Sequence, residues 1–262
     1  MISRTLSVGI LLIVVLLSGG NGCYGNTAAT DPNAAAARLV ALLEDPTPQI
    51  RVTAAQALGK IAVPGTVPVL LRSLKDADPA VRATSAWALG RFGEDVLDQA
   101  GLELATLLDD PSPAVKLAAA QALGAVGGTQ TIIELLTERL TSPDIETRRA
   151  VVSALTWLEA SSAHHALLKA LNDPDAQVRQ GAIAALGEMV DPRSLPAIRE
   201  RLLKDADAGV RGEAAYRLGK FGDRTVVAAL QAASVRDPDA VVRRWAAWAI
   251  EQITSAAPVR IS

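Results

Sequence analysis

Asp173-Pro174-Asp175-Ala176-Gln177-Val178-Arg179 and, five residues further on, Ala184-Ala185-Leu186-Gly187 form the stretch from which the fold can be read. An acidic, proline-containing turn ends one segment. Asp175 then places a carboxylate three residues before Val178, where the exposed amides of a new helix need an acceptor, a cap worth about 1 kcal/mol. At about 100° per residue, Val178, Ala182, Ala185, Leu186 and Met189 share one apolar stripe, so the new helix is expected to bury that face.

The pattern recurs through the chain. Its anchors are Ile50, Val81, Val115, Thr147, Val178, Val210 and Val242, spaced 31, 34, 32, 31, 32 and 32 residues apart. Seven residues before each anchor stands an apolar side chain: Leu43, Leu74, Leu108, Leu140, Leu171, Leu203 and Val235. Eight after it come Leu58, Leu89, Leu123, Leu155, Leu186, Leu218 and Ile250. The cap column reads Thr47, Asp78, Ser112, Asp144, Asp175, Asp207 and Asp239, with Pro48, Pro79 and Pro113 at the first helical position, where a missing N–H is harmless. Each unit is therefore helix, short turn, helix. One pair cannot cover its own apolar face, whereas stacked neighbours can, so the expected fold is an all-α solenoid of about seven helix pairs over residues 33–254. Glycines nine residues after the anchor (Gly59, Gly90, Gly124, Gly187, Gly219) weaken their helices but let adjacent backbones approach. The fourth unit departs at several columns, with Ser142, Thr147 and Thr156 where acid, apolar and glycine residues are the rule.

Composition agrees with close-packed helices. The 262 residues are 50% hydrophobic but only 3% aromatic, so Ala, Leu and Val must fill the core. With 26 Lys and Arg against 28 Asp and Glu, the net charge of −2 gives no basic field for nucleic acid. One Cys and two His exclude an internal disulfide and a multi-histidine metal centre.

Two further columns are charged. Five residues before the anchor stand Asp45, Asp76, Asp110, Ser142, Asp173, Asp205 and Asp237; one after it stand Arg51, Arg82, Lys116, Arg148, Arg179, Arg211 and Arg243. Regularly spaced cations could track phosphates, but each except Arg148 has an acid six residues upstream. Compensated charge points to a structural ladder, in which the planar arginine fork bonds carboxylates or carbonyls of two units.

Positions six and ten after the anchor face away from the buried stripe. They carry Trp87, Tyr216 and Trp248 at the first, and Arg91, Trp157 and Lys220 at the second. Trp87 with Arg91 and Tyr216 with Lys220 are i,i+4 pairs able to make cation–π contacts. Exposed aromatic rings beside cations are the composition of a protein-binding hot spot, with groove filling between units as the competing role. Phe92 and Phe221 are expected in the core, and Trp245 is expected to close the last unit.

The segments Asp173–Arg179 and Ala184–Gly187 resemble HEAT repeats, particularly the short HEAT-like repeats of phycobilisome lyases. The resemblance covers about residues 33–254 and implies a right-handed superhelix whose second helices line a concave surface. It implies little about activity, because such arrays serve many roles. HEAT-like di-iron deoxyhypusine hydroxylases need repeated His-Glu pairs, which this chain lacks: His164 and His165 are adjacent and point about 100° apart on a helix. No phosphate-cradling loop, Ser/His/Asp set or cysteine nucleophile is visible, and no cofactor is implied. A bilin-handling role like that of the lyases is the alternative to a non-catalytic scaffold that binds another protein.

Residues 1–22 have a different character. Arg4 precedes the apolar run Val8 to Leu17, interrupted only by Gly9, and Ser18 to Gly22 then lead into Cys23. The stretch resembles a bacterial lipoprotein signal: Gly22 suits the cleavage site and Cys23 stands where the acylated thiol belongs, although Gly20 replaces the usual Leu. It implies an exported chain, held on a membrane by lipid at Cys23 and a tether over 23–32, facing the periplasm or the exterior. Simple cleavage, or retention of Thr5 to Gly22 as an anchor, are the alternatives. Residues 255–262 read as a polar tail.

Overall fold

A capped first turn and an alanine-rich apolar stripe recur often enough to build nearly the whole described chain from one element type. A computed structural model describes residues 31–158 and 161–255. The signal segment, Cys23 and most of the tail lie outside those residues. Among the described residues there are fourteen α-helices: α1 (Pro32–Leu42), α2 (Pro48–Ile61), α3 (Val67–Ser73), α4 (Pro79–Gly90), α5 (Leu97–Thr106), α6 (Pro113–Val126), α7 (Gln130–Arg139), α8 (Ile145–Trp157), α9 (His164–Ala170), α10 (Ala176–Glu188), α11 (Leu195–Lys204), α12 (Ala208–Phe221), α13 (Val227–Arg236) and α14 (Ala240–Ser255). They fall into two compact units, one ending at Gly127 and one beginning at Gly128. The first holds three helix pairs and the second four. In each, the second helix of a pair packs on the second helix of the next: α2 on α4 on α6, and α8 on α10 on α12 on α14. The expected all-α helix-pair stack is what each unit shows.

The helix starts follow the cap column. Asp78, Asp144, Asp175, Asp207 and Asp239 accept bonds from amides of the first helical turn; Thr47 and Ser112 make no such side-chain bond. Of the stripe read from the fifth repeat, Val178, Ala182, Ala185 and Leu186 are fully buried, while Met189 is half-buried. Phe92 and Phe221 share that column and are likewise half-buried, not core. Val126 and Ile253 in the same column are buried, so helix phase alone does not decide the cover there. Thr147 takes a buried anchor position because its hydroxyl donates to Asp144 at 2.9 Å, so no polar group is stranded.

A second departure concerns the first helices. Leu43, Leu74, Leu108, Leu140 and Leu171 are buried, but Leu203 is 49% and Val235 77% exposed. The hydrogen bonds explain it. In the first five repeats the ladder residue's amide bonds three residues back, as Asp76 does to Ser73 and Asp173 to Ala170, which tightens the last turn. In the last two repeats Asp205 and Asp237 bond four residues back, to Arg201 and Ala233. The untightened turn rotates Leu203 and Val235 outward, and Leu202 and Ala233 take the buried places.

Successive turns are tied by arginine forks. Arg51 donates to both carboxylate oxygens of Asp76 at 2.8 and 2.7 Å, and to the carbonyls of Asp45 and Pro46 in its own turn. Arg82 treats Asp110 the same way in the first unit. In the second unit Arg148, Arg179 and Arg211 do so to Asp173, Asp205 and Asp237. Each acid also accepts the amide two residues on, as Asp205 does from Asp207. Arg243 bonds the carbonyls of Asp237 and Pro238, and Lys116 is buried at the third rung. The residue six upstream thus offers its carbonyl, while the carboxylate comes from the next repeat. The side chains are at most 14% exposed in these pairs.

Two sets of variants test this packing. A Cβ at Gly59 or Gly219 would lie 2.7–2.8 Å from backbone and side-chain carbons of Ala88 or Ala249, so Ala there should destabilise by about 1–3 kcal/mol. At Gly212 the nearest atoms are 3.7 and 3.9 Å away, and Ala should instead stabilise by about 0.5–1 kcal/mol. Urea unfolding of the three variants measures both signs; equal effects at all three would refute the packing role of the first two.

Acid provides the second test. The hydrogen bond from Arg51 holds Asp76 below the usual carboxylate range; at Asp110, Asp205 and Asp237 burial is the largest influence and opposes ionisation, but the arginine bond, the backbone amide bond and the neighbouring cations together lower the pKa. Asp175, bonded by Arg149, falls to about 2. Folded pKa values below the unfolded value of about 3.9 give stability that is complete above pH 4 and lost as pH falls through the folded values. Denaturation midpoints should be level from pH 7 to about 5 and drop below about 4. Asp205→Ala, which strands Arg179, should cost about 2–4 kcal/mol at pH 7. Midpoints unchanged down to pH 2.5, or a drop already complete at pH 5, would contradict the ladder's role.

Candidate functional site

Seven residues after each anchor the column reads Ala57, Ala88, Ala122, Ala154, Ala185, Arg217 and Ala249. One arginine among alanines marks α12. Its stem lies over Gly187 of α10, where a Cβ would collide with it. Its guanidinium donates to Glu213 at 2.7 Å and to Glu188, and its carbon stands 5.3 Å from the Tyr216 ring centre. Burial opposes the charge, but the bonds to Glu188 and Glu213 outweigh it and raise the pKa above the ordinary arginine value.

Around Tyr216 the chain gathers three of its eight aromatic side chains. Tyr216 stacks on Trp248 with ring centres 5.3 Å apart at 20°, and meets Trp245 at 5.2 Å and 70°. Trp245 and Trp248 are perpendicular at 5.6 Å. Offset and edge-to-face pairs of this kind add about 0.5–1.5 kcal/mol beyond their burial. Trp248 and Tyr216 are half-buried, while Trp245 is 39% exposed. Trp245 thus does more than close the last repeat: it is the cluster's outer face. The sequence signal for it was its i,i+3 spacing to Trp248.

Beside the cluster runs an open groove of about 570 Å³. Gln180 of α10 borders it on one side, and Asp239, Val241 and Trp245 on the other. Its floor is α12, where Ala208, Gly209 and Gly212 present little or no side chain and Glu213 and Tyr216 stand at one end. A cleft of this size with aromatic walls and a few polar groups has the make-up of a binding site.

The remaining candidate residues are placed as follows. In the first unit Trp87 is 36% exposed, with Arg91 also exposed one turn on; a Cβ at Gly59 would lie 2.9 Å from the Trp87 ring. Trp248 lies over Gly219 in the same manner. In the second unit Trp157 is 65% exposed at the end of α8. The cation over Tyr216 is Arg217; Lys220 is exposed. Tyr216 and Trp248 are the two candidates brought into contact.

The structure also assembles a Ser/His/Asp trio that spacing did not reveal. His164 Nε2 is 2.9 Å from Ser194 Oγ and 3.8 Å from Asp191 Oδ2. Serine and acid share one ring nitrogen, whereas a nucleophile relay needs them on opposite nitrogens, and Ser194 is fully buried. Asp191, held at about pKa 2 chiefly by Arg193, belongs to a polar tie between α9 and the turn before α11. Among the described residues no three His, Cys, Asp or Glu side chains group as a metal site, and no helix is long and apolar enough to cross a membrane.

The family model for HEAT repeats matches residues 36–100, 102–167 and 164–251. Among solved structures, the archaeal HEAT-like repeats protein from Thermococcus onnurineus NA1 is 18% identical, with 84% of this chain and 97% of that one covered at a TM-score of 0.57. The complex of CpcE and CpcF of phycocyanin lyase from Nostoc sp. PCC7120 is 21% identical over 91% and 99%, with a TM-score of 0.52. An engineered protein is 23% identical over 97% and 80%, with a TM-score of 0.53. At these identities the likeness is one of fold. No curated protein matches the chain in sequence.

Proposed function

The chain belongs to the HEAT-repeat family, and from that premise we propose that it is a non-catalytic, protein-binding scaffold held on a membrane outside the cytoplasm. The observation that carries this reading is the Tyr216, Trp245 and Trp248 cluster beside the open groove on α10, α12 and α14. Tryptophan and tyrosine anchors next to a partly desolvated arginine are the residue types that dominate binding energy at protein interfaces. A stack of rigid helix pairs holds them in place before a partner arrives, which lowers the ordering cost of association. Trp87 with Arg91, and Trp157, are secondary contact points on the same reading. The membrane tether rests on the signal-like segment and Cys23.

The test is affinity capture from an envelope extract, with the full chain in neutral detergent as bait. Trp245→Ala should lower recovery of the captured protein at least ten-fold, about 1.4 kcal/mol of binding, with unchanged helix content by circular dichroism. Trp157→Ala should leave recovery within about two-fold, as exposed rim residues do. Equal recovery with Trp245→Ala would move the surface elsewhere. A bound chromophore with visible absorbance, and no protein, would replace the scaffold reading with tetrapyrrole handling.

The tether has its own test. Cys23→Ser should shift the chain from the membrane to the soluble fraction on cell fractionation, since acyl chains supply stable anchoring. Unchanged membrane association of that variant would reject lipidation.

A further inference from the structure

The groove beside Trp245 has a counterpart within the same unit, and the counterpart is filled. Two residues after the anchor the column reads Val52, Ala83, Leu117, Arg149, Gln180, Gly212 and Arg244. In the fourth repeat Arg149 reaches across to the next repeat's cap residue and donates to both oxygens of Asp175, at 2.9 and 2.6 Å. The sixth repeat has the same acceptor ahead of it, Asp239, but Gly212 supplies no side chain to reach it. Asp239 uses Oδ1 for its two cap bonds, from the amides of Val241 and Val242 at 2.7 and 3.1 Å.

We infer that this groove is the seat of an arginine side chain from the bound protein, which takes on Asp239 the place that Arg149 takes on Asp175. The inference rests on the scaffold reading and names the chemistry its partner presents. Glu213 and Asp239 are the charged residues that line the groove, and both are acidic. Arg179, Arg211 and Arg243 are engaged elsewhere, with Asp205, with Asp237 and with the turn carbonyls, while Arg217 is already bonded to Glu213 and Glu188, so Asp239 is the acid that the seat offers. Arg244 is exposed on α14. Trp245 adds an aromatic wall at the seat, where Gly181 stands in the fifth repeat, so an incoming guanidinium gains a ring face as well as a carboxylate. A planar fork can bond both carboxylate oxygens and stack flat on the ring, whereas a lysine ammonium meets either as a point charge.

The chain can be made to fill its own seat. Gly212→Arg places on α12 the side chain that Arg149 places on α8, while Gly212→Ala leaves the groove open and serves as the folding control. The probe is N-acetyl-arginine-N-methylamide, titrated into the full-length chain in neutral detergent and followed by the Trp245 indole N–H resonance, which Trp245→Phe identifies. A saturable shift with a Kd on the order of 1 mM is expected for so small a ligand. The citrulline analogue, of the same shape without charge, should bind at least ten-fold more weakly, as should the norleucine analogue. Binding should survive in Gly212→Ala and disappear in Gly212→Arg. Equal binding of citrulline or norleucine, undiminished binding to a folded Gly212→Arg, or no saturable shift would overturn the inference. Loss of affinity capture in Gly212→Arg without any response to the arginine probe would leave the scaffold standing and remove only its arginine specificity. Arginine binding without any captured protein would do the reverse.

Discussion

The guanidinium fork that joins one turn to the next is the interaction on which each unit depends. In an all-helical stack rich in alanine and leucine the hydrophobic attraction is non-directional, and close packing at the glycines sets the approach of neighbouring helices but supplies no directional bond between turns. The fork supplies register. Arg179 fixes its own turn through the carbonyls of Asp173 and Pro174, and fixes the following turn through both oxygens of Asp205. Because the carboxylate also accepts an amide of its own turn, each acid is held on both sides, and its charge is compensated where water is largely excluded.

That constraint explains where the sequence was readable. A column that repeats seven times reports a shared physical demand, so the helix pairs, the aspartate caps and the buried stripe could be recovered from spacing alone. The failures occur where a column kept its residue type but lost its geometry. Leu203 and Val235 remain apolar at the expected distance from the anchor, yet a difference between three-back and four-back hydrogen bonds turns them outward. Phe92, Met189 and Phe221 retain the stripe's phase yet are only half-buried, whereas Val126 and Ile253 in the same column are covered. Neither difference is encoded in hydrophobic periodicity. The ladder lay between these cases: its residues were visible, but one-dimensional spacing could not say that the carboxylate partner is 25 to 28 residues downstream and not six upstream.

The candidate site was legible in the opposite way, through breaks in columns. Tyr216 and Trp248 stood out as outward-facing rings, but their partners did not. Arg217 stands in the column that Ala185 fills on the buried stripe of the fifth repeat, so its repeat position alone points to the core. It is accommodated because Gly187 gives up its side chain to the arginine stem, and because Glu188 and Glu213 meet the charge. A repeat protein carries its own internal comparison, and residues that violate it at a tolerated cost are the ones whose presence the scaffold does not require.

Gly212 is the sharpest instance. Glycine inside a helix costs about 0.5–1 kcal/mol relative to alanine, and most such residues here have a packing reason. Gly59 and Gly219 have one, since a Cβ would strike the neighbouring backbone at 2.8 Å. Gly212 has none: a Cβ there would find ordinary contacts, at 3.7 Å to Trp245 and 3.9 Å to Val242. The helix forgoes stability at a position where alanine fits and where, two repeats earlier, an arginine is bonded to the next cap residue. What the missing side chain leaves behind is a groove whose α14 side carries both a carboxylate, Asp239, and an indole, Trp245. Packing does not ask for that space, so its explanation belongs to whatever enters it.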